Sequence, residues 1–188
     1  DDELLVVESG GTVRKSTGSG ISTVDWKVTN AGTIDVQIGR LNLAEGATFN
    51  GTQTIASGAT LGLVSGTFTI SNGVSVSGAG TWDMSRTLNI EGGSVTGAVV
   101  TSFPSPGQLA GAGTFNANSN ITMSGGDLAG TVTLNVNHTA TQSGSTTMRD
   151  NTINVGGTLN HTASTISSVS GFSPRINILS NAVYDVRG

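Results

Sequence analysis

The chain contains no cysteine, and only 11% of its 188 residues are charged and 4% are aromatic. The lack of cysteine fits surface proteins that cross a membrane before they fold but excludes no compartment, and it is the bias towards serine, threonine, asparagine and glycine that favours an extracellular or cell-surface location. A net charge of −4, with eight scattered basic residues, argues against the clustered basic surface that nucleic acid needs. No run of about 18 apolar residues occurs, so the sequence predicts no membrane span.

Small residues take the place of the missing charges and rings. Glycine occupies 28 positions, and serine, threonine and asparagine fill most polar positions instead of lysine and glutamate. Faces made of small uncharged polar side chains are typical of stacked strands, in which like residues form ladders. Soluble helices favour glutamate, lysine, alanine and leucine instead, so the composition argues against long helices.

Apolar residues alternate with polar ones in short runs. Between Thr81 and Ile90, the residues Trp82, Met84 and Leu88 each stand next to polar neighbours. A period of two places successive side chains on opposite faces of a strand, so one face of each strand is apolar. Similar runs, most of them ending near glycine, follow one another along the chain. The sequence therefore predicts an all-β fold.

Part of this stretch recurs further along the chain. GAGTW at 78–82 is answered by GAGTF at 111–115, and LNIEGG at 88–93 by ITMSGG at 121–126. We therefore predict that the two segments occupy equivalent positions in a repeating fold. The equivalent core pairs would be Trp82 with Phe115, Leu88 with Ile121, and Ile90 with Met123.

The sequence also contains a shorter repeat interval. Gly-Thr steps recur at a mean interval of about 21 residues, and NHTA at 137–140 returns at 160–163. The wider gap between the two GAGT phrases then needs about ten extra residues, for which the segment 100–109, VTSFPSPGQL, is available. It contains two of the three prolines. Because proline cannot donate to a strand ladder, we predict that 100–109 is a loop insertion that leaves the stack.

Short strands, glycine corners and a period near 21 favour a parallel β-solenoid, that is, a β-helix. We predict one domain over residues 1–188, of about nine rungs, each one turn of the coil. Because the six-residue beat of left-handed coils is missing, we expect the right-handed form. The alternative is an antiparallel β-sandwich, which also consists of short strands with frequent turn signals.

The phrases GAGT[FW], SGG and GGTL resemble the repeats of autotransporter passenger and filamentous-haemagglutinin-like surface proteins. The likeness extends from Ala31 to about Val169. The resemblance implies a right-handed β-helix and an exported structural or adhesive role. Since the chain begins at Asp1, we expect a processed product or an excised segment.

Candidate reactive groups are few and dispersed. Asp83, Glu91 and Asp127 are the best-placed acids for sugar cleavage, but none has a second acid in register one repeat away. His138 and His161 occupy equivalent places in the two NHTA phrases, yet no cysteine and few acids lie near them. We therefore expect no enzyme activity, no cofactor and no metal site. Both tryptophans, at positions 26 and 82, are expected in the core or at corners.

Repetition without a reactive cluster predicts a non-catalytic extracellular structural or adhesive module, such as a self-assembling filament or surface-layer subunit. The alternative is a carbohydrate-binding or polysaccharide-cleaving β-helix, for which an acid cluster near the Pro104–Pro106 loop would be the sign. A solenoid exposes unpaired strand edges at its ends, so partners would be other copies end to end, further rungs of a longer parent chain, or a surface glycan. Residues 1–10 would form an N-terminal cap or docking strand. The predicted docking residues are Leu4, Leu5, Val6, Val7, Ile176, Ile178, Val183 and Val186.

Overall fold

A computed structural model describes residues 3–97, 99–162 and 164–187. Its regular structure consists of 27 short β-strands. Among these residues there is no helix long and apolar enough to cross a membrane.

The strands follow one another in groups of three, and each group makes one rung. The first three rungs are β1 Leu4–Val7, β2 Thr12–Lys15, β3 Ile21–Val24; β4 Lys27–Asn30, β5 Thr33–Val36, β6 Arg40–Leu43; β7 Ala47–Phe49, β8 Thr52–Ile55, β9 Thr60–Leu63. The next three are β10 Phe68–Ile70, β11 Val74–Gly78, β12 Thr81–Met84; β13 Thr87–Ile90, β14 Ser94–Gly97, β15 Val100–Pro104; β16 Gln108–Gly111, β17 Thr114–Ala117, β18 Ile121–Ser124. The last three are β19 Asp127–Leu128, β20 Thr133–Val136, β21 Thr139–Gly144; β22 Thr146–Met148, β23 Thr152–Val155, β24 Thr158–Thr162; β25 Ile166–Ser168, β26 Arg175–Ile178, β27 Val183–Arg187.

Strands pair with the strand three places along the chain, except that β19 and β22 are not paired, so two sheets run the length of the rod and a third ends at β19. Sheet A holds every third strand from β1 to β19, sheet B those from β2 to β26, and sheet C those from β3 to β27. Strands β22 and β25 form a separate two-stranded sheet. The strand pairs are parallel throughout, as between β17 and β20 or β21 and β24. The predicted parallel β-solenoid of about nine rungs is therefore confirmed, and the sandwich alternative is wrong. The right-handed sense stays a prediction.

The length of a rung varies with its corners. Thr114 pairs with Thr133, whereas Thr158 pairs with Val183, which is a longer step along the chain. The strands keep their register while the turns absorb insertions, except for a shift between β18 and β21 at Met123 and Ser124. This explains why the Gly-Thr interval is irregular although the stacking is largely regular.

The core is the column of inward-facing side chains between the three sheets. Aromatic rings pack face to face within it: Phe49 on Phe68 and Trp82 on Phe115, each with centroids 6.1 Å apart. Phe103 meets the Phe115 ring at an angle of 68°, with centroids 6.2 Å apart. Every residue of the three predicted core pairs is buried, which confirms the inside–outside assignment from the period of two.

The predicted equivalence of those pairs is wrong. Trp82 lies on β12 in sheet C, beside Leu61 and Thr101, whereas Phe115 lies on β17 in sheet B, beside Val95 and Leu134. Leu88 with Ile121 and Ile90 with Met123 likewise fall on sheets A and C. The offset between the two phrases spans five strands, while the sheets repeat every three. The shared GAGT phrase marks a turn before a strand, and such turns occur on more than one side of the coil.

The segment 100–109 is not a loop outside the stack, which corrects that prediction. Its first half is β15, paired with β12 on one side and β18 on the other, and Phe103 is buried in the core. Only residues 105–107 separate β15 from β16. Pro104 is the last residue of its strand and lies beyond the three residues of β15 that pair with β12. The Ser105–Pro106 peptide in the turn is cis.

Candidate functional site

Both ends of the rod carry strands that are paired on one side only within the described residues. Strands β1, β2 and β3 pair with β4, β5 and β6, and strands β25, β26 and β27 pair with β22, β23 and β24. The other edge of each presents backbone N–H and C=O groups without a neighbouring strand. Such edges are templates for pairing with another chain.

At the N-terminal end the four predicted docking residues divide between two faces. Leu5 and Val7 point inward and belong to the end of the core, with Val7 buried. Leu4 and Val6 point outward on sheet A and are half exposed. Asp1 and Asp2, which begin the predicted segment 1–10, lie outside the described residues.

A hollow of about 340 Å³ opens at this end, at the corner between sheets C and A. Inward-facing Leu5 and Val24 form its apolar part, with Thr23, Asp25 and Trp26 around it. Trp26 is 49% exposed, as a corner residue, whereas Trp82 is fully buried. The N-terminal end of the rod therefore combines an apolar depression with the exposed ring of Trp26 and the carboxylate of Asp25.

Lys15 also faces inward in the first rung, on β2. Its Nζ donates to the carbonyl oxygen of Thr17 at 3.2 Å and to Oγ of Ser22 at 3.1 Å. Only 9% of this residue is exposed. The ammonium is thus hydrogen-bonded while the aliphatic stem closes part of the core.

The C-terminal rung presents inward-facing apolar side chains at its open side. Ile176 and Ile178 continue the column of Ile153 and Val155, and Ile178 is 43% exposed. Val186 is the most exposed of the predicted docking residues, at 66%. Further exposed apolar residues near this end are Phe172, Leu179, Val183 and Tyr184.

The last strand makes a polar side-chain contact with the preceding rung and another within itself. Tyr184 stacks on His161 with ring centroids 6.0 Å apart, and its hydroxyl lies 2.9 Å from Nδ1 of His161. Arg187 donates from Nε to the Asp185 carboxylate at 2.7 Å, and this contact raises the pKa of Arg187 above its ordinary value. His138 directly precedes β21, whereas His161 lies on β24, where it pairs with Gln142 of β21. The two histidines are therefore not in register. The predicted equivalence of the two histidines is therefore wrong.

A groove of about 530 Å³ lies on the outer face of sheet A in the first three rungs. The register aligns Thr29 and Thr48 in one row along its floor, and Thr69 continues this row into the fourth rung. Lys27 stands beside this row and takes part in none of the three ion pairs formed by the described residues. The remaining lining residues are Glu3, Leu4, Asp25 and Glu45. A second depression of about 310 Å³ adjoins it and shares Lys27, Glu45 and Thr48.

The acids singled out for sugar cleavage are not brought together. Asp83 is on sheet C, where it accepts from Arg40 at 2.7 Å, and Asp127 is on sheet A, where it accepts from the backbone N–H of Thr147 at 2.9 Å. Glu91 follows β13 and accepts from the Ser71 hydroxyl at 3.1 Å. Each is engaged in a contact between rungs, and the contact of Asp83 crosses an intervening rung. Among the described residues no three His, Asp or Glu side chains converge as metal ligands.

Sequence reasoning missed an amide ladder on the outer face of sheet B. Asn135 donates to Asn116 at 2.7 Å, Asn154 to Asn135 at 2.8 Å, and Asn177 to Asn154 at 2.8 Å. The signal was present as Thr-x-Asn at 114–116, 133–135 and 152–154, spaced by one rung. A ladder of this kind links four rungs on the side of the rod.

An ionic cluster occupies the same sheet nearer the N-terminus. The carboxylate of Asp35 accepts from Arg14 at 2.7 Å, from Thr54 at 2.8 Å and from Gln37 at 2.9 Å. Partial burial alone would raise the pKa of Asp35. The hydrogen bonds from Thr54, Arg14 and Gln37, together with the Arg14 charge, outweigh it and hold that pKa below its ordinary value of 3.8.

Comparison of the chain with known protein families, curated proteins and solved structures gives no match. The parallel β-solenoid is consistent with the resemblance to β-helical surface proteins. Membership of the autotransporter-passenger or haemagglutinin-like families stays a prediction.

Proposed function

We propose that the chain is a non-catalytic structural or adhesive module of the cell surface or extracellular space, joined end to end to further solenoid. The added rungs come from other copies, which gives a filament or surface layer, or from a longer parent chain. The observation that carries the proposal is the exposed apolar interior of the last rung, at Ile178 and Val186. In the internal rungs the corresponding positions are covered by the next strand.

The unpaired strand edges add to this support. Adding a tenth rung would satisfy the free backbone groups of β26 and β27 and cover their inward side chains at once. Both gains arise from the same contact, since sheet pairing and core stacking share one axis in a solenoid. Sheet faces of threonine and asparagine provide a surface with few charges along the rest of the rod.

Particle size of the purified chain tests the proposal. We expect electron micrographs to show filaments or chains of rods, and light scattering to show a mass that rises with protein concentration. Deleting residues 1–10 removes β1, so assembly should decrease. Isolated rods at every concentration would contradict assembly from copies, and unchanged assembly of the deletion variant would contradict the N-terminal joint.

A second candidate, binding of a surface glycan, is favoured by the groove on sheet A. Its volume lies in the range of about 300–1,000 Å³ that is usual for ligand sites. A row of threonine hydroxyls, with Lys27 and Glu45 at its side, offers donors and acceptors to sugar hydroxyls. This groove lies in the first three rungs, whereas the Pro104–Pro106 turn expected to mark such a site closes β15 in the fifth.

A screen of polysaccharides against the purified chain tests the second candidate. Retention on one polysaccharide should decrease in the double variant Lys27→Ala, Glu45→Gln. Glu91→Gln, which changes a carboxylate in the fifth rung, serves as the control. Equal retention of both variants would place binding elsewhere, and release of sugar fragments would contradict the non-catalytic assignment.

A further inference from the structure

We propose that copies of this chain stack head to tail in one register, so that β25, β26 and β27 of one copy pair with β1, β2 and β3 of the next. The inference rests on the proposed function and names its interface. Strands β26 and β27 would then continue sheets B and C, and β25 would extend its two-stranded sheet onto β1 of the next copy, in the same parallel sense that the strand pairs have within each chain.

The alternation of side chains is compatible on both sides of the junction. On β26, Ile176 and Ile178 face inward, and on β2, Val13 and Lys15 do so. Continuing the ladder places Ile176 on Val13 and Ile178 on the stem of Lys15. The Lys15 ammonium already has partners in Thr17 and Ser22, so an apolar neighbour above the stem leaves it hydrogen-bonded.

The third strand pair supplies shape and charge complementarity. Val186 faces inward on β27, and Val24 does so on β3. With these two stacked, the exposed Val186 side chain enters the hollow lined by Leu5, Val24 and Trp26. A protruding apolar residue at one end thus meets an apolar depression at the other.

The same register places Arg187 opposite Asp25. Arg187 follows Val186, and Asp25 follows Val24, so they occupy matching outward positions. A guanidinium has five N–H donors, so Arg187 can keep its bond to Asp185 and still donate to Asp25. Asp25 and Arg187 lie at opposite ends of the rod, so this contact forms only where unlike ends meet. The charges therefore favour head-to-tail stacking.

This geometry does not close on itself. The two contacting surfaces are different, and each added copy extends the same axis by nine rungs, or about 43 Å at about 4.8 Å per rung. A heterologous contact of this kind, repeated without closing into a ring, produces an open filament.

Charge reversal at the two ends tests the register. Asp25→Lys places a positive charge opposite Arg187, and Arg187→Glu places a negative charge opposite Asp25. We expect each single variant to raise the concentration needed for assembly on the order of tenfold or more. The double variant Asp25→Lys, Arg187→Glu carries the swapped pair and should assemble again. Glu91→Lys, the same charge change in the middle of the rod, should assemble like the wild type.

Sedimentation and electron microscopy provide the readout, and circular dichroism with thermal melting identifies any variant that fails to fold. An equimolar mixture of the two single variants should also assemble, which provides a second rescue. The unchanged ends of the two variants carry the native pair, and their changed ends carry the swapped pair. If folded single variants assemble like the wild type, or neither rescue occurs, the register is wrong while the proposed function stands. Wild-type assembly that stops at pairs would show end-to-end contact of like ends and overturn the head-to-tail arrangement. If the wild type does not assemble at all, assembly from copies and this inference both fail.

Discussion

The guanidinium of Arg40 reaches across an intervening strand and donates to the carboxylate of Asp83 at 2.7 Å. Arg40 lies on β6 and Asp83 on β12, with β9 between them. The path is open because the intervening residue is Gly62. A Cβ atom there would lie 2.5 Å from Nη2 of Arg40 and 2.6 Å from Oδ1 of Asn42. One glycine thus permits an ion pair that ties together three rungs.

The first prediction concerns this crossing. Gly62→Ala should push the guanidinium off its path and weaken the bond to Asp83, which for a partly exposed pair is worth about 0.2–1 kcal/mol. Alanine in a strand otherwise gains about 0.5–1 kcal/mol over glycine, so the two effects nearly cancel. In an Arg40→Ala background the guanidinium is gone and the Asn42 side chain, released from its bond to Arg40, is free to turn away from the new methyl group, so the gain should dominate.

A double-mutant cycle measured by urea unfolding tests this coupling. We expect Gly62→Ala to be clearly more favourable in the Arg40→Ala background than in the wild type. The same effect in both backgrounds would mean that the guanidinium does not depend on the space above Gly62.

The second prediction concerns the aromatic core. Phe115 is fully buried between Trp82 and Phe103, so Phe115→Ala should leave a void and cost about 3–5 kcal/mol. That is a large part of a total stability of roughly 5–15 kcal/mol. The neighbouring outward change Asn116→Ala removes one amide hydrogen bond and should cost about 0.5–1.5 kcal/mol. Denaturant unfolding of both variants gives the comparison, and a larger loss for Asn116→Ala would invert the faces of β17.

The third prediction concerns the amide ladder. Asn135 takes part in two ladder bonds, to Asn116 and from Asn154, whereas Asn177 at the end takes part in one. Each bond is worth about 0.5–1.5 kcal/mol, so Asn135→Ala should cost roughly twice as much as Asn177→Ala. Unfolding free energies at one pH decide the matter. Equal losses would indicate that solvent replaces the ladder bonds at no cost.

The fourth prediction concerns pH. The folded state lowers the pKa of Asp35, so the ionised carboxylate is bound more tightly in the folded protein than in the unfolded chain. Its stabilising contribution is fully present above the ordinary value of 3.8. It is lost as the pH falls through the lowered folded-state pKa. Asp35→Asn should therefore reduce stability at neutral pH and flatten the loss of stability in acid.

Urea midpoints at about pH 7 and about pH 2 measure this effect. Glu8→Gln removes the same charge at an exposed position and serves as the control. If Asp35→Asn leaves the acid dependence unchanged, the hydrogen bonds from Arg14, Thr54 and Gln37 do not favour the ionised form.

Which side chains face the core could be predicted from the amino-acid sequence alone. Trp82, Leu88, Phe115 and Ile121 all stand in an alternating pattern and all are buried. A strand sends successive side chains to opposite faces whatever its neighbours are, so this property is local. The repeating parallel fold also followed from the sequence, because glycine corners at a period near 21 leave few other ways to bury one apolar face per strand.

Which strands are neighbours could not be predicted from the sequence and became visible in the folded structure. Trp82 and Phe115 stand in matching phrases, yet they belong to different sheets and meet across the core instead of along one stack. Side chains alternate between the two faces with the same period in all three sheets, so the sequence of a strand does not reveal the sheet to which it belongs. Because the corners vary in length, the number of residues between strands does not reveal it either. The stacking of β27 on β24 across a long connection, and the hollow beside Trp26, arise from backbone pairing between rungs. That pairing depends on contacts between residues far apart in the chain, which a local pattern does not encode.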